Sequence, residues 1–508
     1  MILTNLIRPV FRSRLQAAAR WATDAEAVQR SELARLVAMA KATEFGREHK
    51  FGQIRTYADF AEAVPQVMAY DSMRPLVMRM IAGEKDVLWP GVVRNFAQSS
   101  GTSDGRSKYI PITAEGFKRS HYRGAMHSVA HYLDNVSRSN LFEGKALILG
   151  GSFANELTLK PGVCVGDLSA NLIDRMNPLA GMLRVPSRKI ALMADWREKL
   201  PALAAATAAD AKVTNISGVP SWMLEVMKEV LRIKGASTLH DVWPNLEVFF
   251  HGGIAFGPYR EQYRQITDSQ RMHYLENYNA SEGFFAVQND MSDPAMLLLL
   301  DAGTFYEFIP LADTDSDNPR ILPPWEVEKG KVYALIVTNV NGLWRYPLGD
   351  TVKIESVNPL KITISGRTKH FINAFGEELM VCNADRAIEN TCRDLDCQVV
   401  NYTAAPVYPD TGHRGRHQWL VEFSTKPASI ADFTAKLDAY LQRENSDYQA
   451  KRASGLFLDM PEINVAQNGL FDLWLEKKGK LGGQHKIPRL SNDRKVLEEL
   501  LKLADKIC

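Results

Sequence analysis

Two short apolar runs set the terms for the fold. "KALILGG" (145–151) and "LEVFFHGG" (246–253) both follow helical sequence and stop on a glycine pair. Runs of this kind read as buried strands entering turns. Strands that alternate with helices build an α/β domain. A chain of 508 residues exceeds what one core serves, so two or more domains are expected.

The rest of the chain fills in around these runs. The first hundred residues read as helical, and "AEAVQRSELARLVAMAKATEF" should break at Gly46. Thr113 is placed to cap a helix over 114–133, with Phe117, Ala125, Val129 and Leu133 along one side. From 285 to 355 strand signals dominate, with Asn341-Gly342 as a hairpin turn. Gly366 and Gly376 flank a basic junction, and the domain boundary is expected near Gly366–Lys369. Past 380, helices and strands form a compact α+β domain. Neither an internal repeat nor a low-complexity tract is evident.

Composition narrows the function. With 61 basic and 59 acidic residues the formal charge is +2, which favours neither nucleic acid nor a membrane surface as a partner. The five cysteines, Cys164, Cys382, Cys392, Cys397 and Cys508, are odd in number and form no C-x-x-C pair. They read as reduced thiols of a cytoplasmic protein. No apolar run reaches the roughly 18 residues of a membrane span, and the N-terminus has no signal-peptide core. "MILTNLIRPVFRSRLQAAARWAT" has four arginines and no acid. It reads as a basic amphipathic helix, with a transit peptide as the alternative. A monomer is expected.

Five stretches carry chemistry. "SSGTSDGRSKY" (99–109) combines hydroxyls with glycine amides, the makings of an anion cradle. It is not the Walker loop, because Gly101 and Gly105 are one residue too close and Arg106 replaces the lysine. In "ENYNASEGFF" (276–285), Tyr278 can stack on a flat base, and Glu282 offers the carboxylate oxygen that magnesium takes together with phosphates. In "RYPLGD" (345–350), Asp350 suits ribose hydroxyls. "SGRTKHF" (365–371) and "GGQHKIPRL" (482–490) complete the set. Singly, each reads more readily as an ordinary turn or loop.

In this order the five resemble the adenylate-forming superfamily of acyl-CoA synthetases, luciferases and peptide-synthetase adenylation domains. Within it the chain is similar to the Gretchen Hagen family of auxin-responsive acyl-acid amido synthetases. "SSGTSDGRSK", "GVPSWML" (218–224), "HGGIAFGPY" (251–259), "YNASEG" (278–283), "LWRYPLGD" (343–350) and "QHKIPR" (484–489) carry the likeness. The openings "AKATEFGREH" and "DFAEAVPQVMAYD" share it, so it spans nearly the whole chain.

The resemblance implies an α/β adenylate-forming fold. Its large N-terminal domain, with a β-barrel-like part, would cover 1–367, and a small mobile α+β domain 368–508. It implies two steps: ATP and a small carboxylic acid give an acyl-adenylate and pyrophosphate, then an amino acid amine takes the acyl group. Coenzyme A as the acceptor is the alternative. Ser99, Ser100, Gly101, Thr102, Ser103 and Lys108 match the phosphate loop. Gly252 and Gly253 match the glycines beside adenine, Tyr278 the stacking aromatic and Ser281 a phosphate-side hydroxyl. Glu282 matches the magnesium ligand, Asp350 the ribose aspartate and Arg367 its basic companion. Lys369 matches the hinge and Lys486 the catalytic lysine. The helix after the phosphate loop is expected to wall the acyl pocket with Tyr122, Met126 and His127, for which core packing is an equal reading. Glu377 and Glu378 stand where plant members carry a lysine, which points to a bacterial-type branch. His127 and His131 lie one helical turn apart, but Ser128 stands where a zinc protease needs glutamate.

Overall fold

The computed structural model describes residues 2–99, 108–155, 157–253, 256–314, 316, 318–367, 371–372, 374, 377, 379–408, 415–445, 448–449, 452, 458–478, 487–491 and 493–506. It divides into two compact units. The first comprises Met1–Phe256, Glu261–Leu348 and Lys353–Thr363; the second comprises Gly257–Arg260, Gly349–Val352 and Ile364–Cys508.

The first unit opens with the helical stretch Ile2–Ala40, which is kinked at Asp24. That helix ends at Ala40, not at Gly46. Thr43 caps a second short helix, Glu44–Glu48, by accepting from the Gly46 amide at 3.0 Å. Gly46 lies inside this helix, and a Cβ there would stand 2.1 Å from the Ala40 carbonyl oxygen. The glycine allows a close approach of chain to chain and does not break the helix.

Strands β1 (Asn95–Ser99) and β2 (Lys108–Ile112) form an antiparallel hairpin, and β4 (Cys164–Gly166) joins β1 in parallel. The other strands up to residue 367 are β3 (Lys145–Ile148), β5 (Arg184–Val185), β6 (Val213–Gly218), β7 (Val248–Gly252), β8 (His273–Ala280), β9 (Gly283–Gln288), β10 (Met296–Leu298), β11 (Thr304–Pro310), β12 (Val332–Asn339), β13 (Tyr346–Val357) and β14 (Leu360–Arg367). Among the described residues they form an eleven-stranded sheet in the order β11-β12-β13-β14-β10-β9-β8-β7-β6-β3-β5. The strands β5, β3, β6, β7 and β8 run parallel. Both glycine-ended runs, β3 and β7, belong to this half, as alternating strands and helices require. The strand-rich segment supplies the antiparallel remainder, with β9 against β8 and β10, β10 against β14 and β11 against β12.

The helix after β2 departs from its expected periodicity. Thr113 does cap it, with its hydroxyl accepting from the Gly116 amide at 2.9 Å. Residues Gly116–His121 then wind as a π turn before the regular helix Tyr122–Asn135. The wide turn holds one residue more than an α turn and rotates the helical residues beyond it. Phe117 and Leu133 are buried as expected, but Ala125 is exposed, and Gly124, His127, Ser128 and His131 face inward instead.

The second unit is an α+β layer. β17 (Gln398–Val407), β18 (Arg416–Thr425) and β19 (Glu462–Ala466) form its three-stranded sheet, and β15 (Phe371–Ile372) and β16 (Leu379–Met380) form a small separate pair. The helices Val381–Asp394 and Ile430–Glu444 pack with Trp419, Val421 and Phe423 in one apolar cluster. The helices Leu470–Lys477 and Lys495–Ala504 pack with Ala405 and Leu420 in another.

Candidate active site

The phosphate-loop candidates leave the fold at a fixed base. Ser99, which ends β1, pairs in register with Lys108, which begins β2. Ser100, Gly101, Thr102 and Ser103 lie outside the described residues. The stem is tied down by Asn171, whose amide donates to the carbonyls of Phe96 and Gly166, both at 3.2 Å, and accepts from Asn95 at 2.9 Å. The glycine pair ending the first apolar run is also held. The Lys199 ammonium donates to the carbonyls of Gly150, Gly151 and Met193 at 2.6, 3.1 and 3.1 Å. Burial draws this lysine down to about 8.

The second motif forms the sharp link between β8 and β9. Glu282 sits at its tip, 8% exposed. Its backbone carbonyl accepts from the side-chain amides of Asn339 and Asn341, at 2.9 and 3.1 Å. Asn341 also accepts from the Thr113 amide at 3.1 Å, and Gly116 leaves it room, since a Cβ there would fall 1.9 Å from its side-chain oxygen. The Asn341-Gly342 turn predicted from sequence therefore clasps the Glu282 turn to the start of the π-wound helix.

The Glu282 carboxylate meets the Tyr346 hydroxyl at 3.4 Å, and Lys108 Nζ lies 3.4 Å from the same hydroxyl. Burial, with the Glu282 charge beside it, pushes Tyr346 well above its ordinary range, so the hydroxyl remains a donor. The Lys108 ammonium stands 5.7 Å from the Tyr70 ring and 5.9 Å from the Tyr346 ring, within reach of both faces. A cation from the phosphate-loop base and a carboxylate thus converge on one hydroxyl.

Gly252 ends β7 and Gly253 follows it. A Cβ on Gly252 would lie 2.3 Å from the Asn277 carbonyl of β8, and Gly253 has a φ of +83°. The crevice beyond the carboxyl ends of parallel strands is where open α/β sheets bind ligands. Tyr278 is 4% exposed, with its ring 5.2 Å from Phe285, and Ser281 is buried at the β8–β9 link.

The remaining candidates fall elsewhere. Asp350 is buried in β13 and belongs to the second unit. Arg367 is described only as the end of β14. Lys369 and Lys486 lie outside the described residues, as does Glu378. Glu377 is a core group of the second unit, its carboxylate 2.8 Å from His417 Nε2. Tyr122 is half-buried and donates to the Leu172 carbonyl at 3.3 Å, and Met126 is also half-buried. His127 is fully buried, its ring 5.1 Å from Trp21 and Nε2 3.7 Å from Asp301. Among the described residues, no three His, Cys, Asp or Glu side chains cluster as a metal cage. Glu282 instead offers a single hard oxygen donor, which suits magnesium when phosphates complete its shell. Sequence reasoning quoted Tyr346 without giving it a role and missed Asn339 altogether.

Comparison with known proteins places the fold and the family. The 2-hydroxyisobutyryl-CoA ligase in its postadenylation state superposes with a TM-score of 0.60 at 14% identity, covering 95% of this chain and 92% of that one. The acyl acid amido synthetase AtGH3.15 in complex with 2,4-DB gives a TM-score of 0.78 at 18% identity, covering 97% and 96%. The fold is that of the adenylate-forming enzymes. The model of the GH3 family N-terminal domain matches residues 14–182 and 164–272, that of the central domain 297–367, and that of the C-terminal domain 382–495. The chain belongs to the GH3 family. Its relatives include the indole-3-acetic acid-amido synthetases GH3.4 and GH3.17 of Arabidopsis thaliana. GH3.4 is 23% identical over 560 residues, covering 94% of this chain and 91% of the relative; GH3.17 is 24% identical over 581 residues, covering 94% and 93%.

Proposed function

We propose that this chain is an ATP-dependent acyl-acid amido synthetase. It adenylates a small carboxylic acid, releases pyrophosphate, and passes the acyl group to an amino acid amine to give an amide and AMP. The observation that carries the reading is the convergence of Lys108, Tyr346 and the clasped Glu282 turn, in a GH3-family chain of adenylate-forming fold. The relatives' names, which state amido synthesis, support the second step.

The first step brings a carboxylate against a triphosphate, and the negative charge must be offset where it peaks. In this reading Ser99, Ser100, Gly101, Thr102, Ser103 and Lys108 receive the phosphates. Gly252, Gly253 and Tyr278 take the adenine, Asp350 and Arg367 the ribose, and Ser281 a phosphate oxygen. Bound magnesium supplies Lewis-acid neutralisation of the phosphates, and Glu282 is the residue that would hold it. Lys486 reaches the acyl oxygen and the phosphate together. Residues 368–508 form the mobile domain, turning at Lys369. Tyr122 and Met126 face the acyl acid, and the full burial of His127 favours its packing role. The enzyme works as a cytoplasmic monomer. Among the described residues no helix is long and apolar enough to cross a membrane.

The test is acceptor-dependent AMP release over a panel of acids, comparing amino acids with coenzyme A. Amide products with amino acids establish the reading. Thioester formation in their place would turn it to the acyl-CoA alternative, and absence of pyrophosphate exchange with every acid would overturn it.

A further inference from the structure

In the second unit, residues 488–491 lie along the free edge of β17. Leu490 bridges to Ala404 in parallel, the Ala404 amide donates to the Arg489 carbonyl at 2.8 Å, and the Ser491 amide donates to the Ala404 carbonyl at 3.1 Å. The Thr403 hydroxyl donates to the Pro488 carbonyl at 2.7 Å. An open strand edge presents unpaired amides and carbonyls, and this run covers part of it. Pro488, which has no amide to give, stands where the run begins.

One side chain locks the run in place. The Arg489 guanidinium forms an ion pair with Asp385, on the helix Val381–Asp394, with the two side chains 18% and 8% exposed. The Tyr402 hydroxyl donates to the same carboxylate at 2.7 Å. The guanidinium also lies 5.2 Å from the Tyr402 ring, which stacks on Trp419 at 5.4 Å. Apolar residues would fill the place at least as stably, because desolvating two charges offsets most of what their attraction returns. What the pair adds is a single register for the chain that carries it.

Arg489 is three residues past Lys486, a span of at most about 10 Å of extended chain. A lysine on a long stem, preceded by glycines, has reach but needs one fixed end to return to the same place. We infer that the Asp385–Arg489 pair, steadied by Tyr402, is the anchor that positions Lys486 for adenylation. Both members are positioning residues. The inference rests on the role given to Lys486 above.

The full-length enzyme carries the test, with adenylation read by pyrophosphate exchange and the second step by amide formation from pre-made acyl-adenylate. Asp385→Asn keeps the shape and removes the charge. It should slow adenylation roughly 10- to 100-fold, the scale for a misplacement of about 1 Å, and leave amide formation unchanged. The double variant with Lys486→Ala should be no slower than Lys486→Ala alone, since lost positioning then has nothing to act on. If Asp385→Asn adenylates normally while Lys486→Ala is slow, the anchor is overturned and the functional reading stands. Normal adenylation by Lys486→Ala would overturn the lysine's role and the anchor with it. Equal loss in both steps, or an additive double variant, would reduce the pair to scaffolding and overturn the inference. Should Asp385→Asn not fold, Tyr402→Phe is judged by the same outcomes.

Discussion

Glu282 and Glu307 are both buried carboxylates, and neighbouring residues at the entry to β13 meet them. Arg345 grips Glu307 with bonds of 2.6, 3.1 and 3.1 Å, donates to the Val64 carbonyl at 2.7 Å, and holds a φ of +45°. Tyr57 adds a hydroxyl bond to Glu307 at 2.9 Å. Glu282, by contrast, meets the Tyr346 hydroxyl at 3.4 Å, a long contact for an O–H donor. Arg345 precedes β13 in a left-handed conformation, and Tyr346 is the first residue of the strand. One motif, "RYPLGD", thus closes a short buried ion pair at Glu307 and makes a longer hydroxyl contact at Glu282. The lesson is that a buried acid is informative only together with the strength of its partner.

Four experiments bear on that difference. The largest effect belongs to Glu307→Gln, which leaves the Arg345 guanidinium buried and uncompensated. It should cost about 3–5 kcal/mol, read from urea unfolding, and a midpoint like that of the parent would break the comparison. Glu282→Gln should leave the midpoint unchanged and slow adenylation by roughly 10²-fold or more. Unchanged pyrophosphate exchange at limiting magnesium would remove Glu282 from the metal.

Acid should weaken the fold independently of either glutamate. Burial holds His121 and His131 down to about 4, against an ordinary 6.5. Between those values the unfolded chain binds protons that the native one refuses, so stability falls as pH drops from 6.5 to 4 and levels below. Each histidine should contribute on the order of 1–3 kcal/mol. Unfolding midpoints at pH 7 and 5 would show the slope, and His131→Leu should lessen it. A flat profile would contradict the burial, and the two glutamates are best compared above pH 6.5.

Gly116→Ala is the finest probe. Its methyl pushes on Asn341 and so on the Glu282 clasp, without touching Glu307. A loss of about 1–3 kcal/mol is expected. Ala125→Ser, on the exposed side of the same helix, should stay within about 0.5 kcal/mol. Equal losses would contradict the register set by the π turn.

Much of this was legible in the residues. The glycine-ended runs announced two buried strands of an α/β domain, because a buried strand must be apolar and must then turn. The Asn341-Gly342 turn announced its hairpin, and the motif order announced the family. What stayed hidden depends on contacts across the sheet. Tyr346 and Asn339 lie 64 and 57 residues from Glu282, and no local spacing records such a meeting. Gly46 misled because the helix break was settled by the Thr43 cap. Ala125 misled because the buried face of the helix beyond the wide turn runs through Gly124, His127, Ser128 and His131 instead.

That wide turn acts like a vernier between two scales. Residues before Gly116 are indexed to the β12–β13 turn through Thr113, and residues after His121 are indexed to β9 through Gly124, where a Cβ would meet the Phe284 ring at 2.2 Å. The extra residue is the offset that lets both indexings hold along one helix. Deleting Lys118, which is exposed, would leave every other side chain's chemistry intact and still turn the rest of the helix by about 100°. Ala125 would then swing inward and Gly124 out. For this segment, chain length is as much a part of the specification as residue identity.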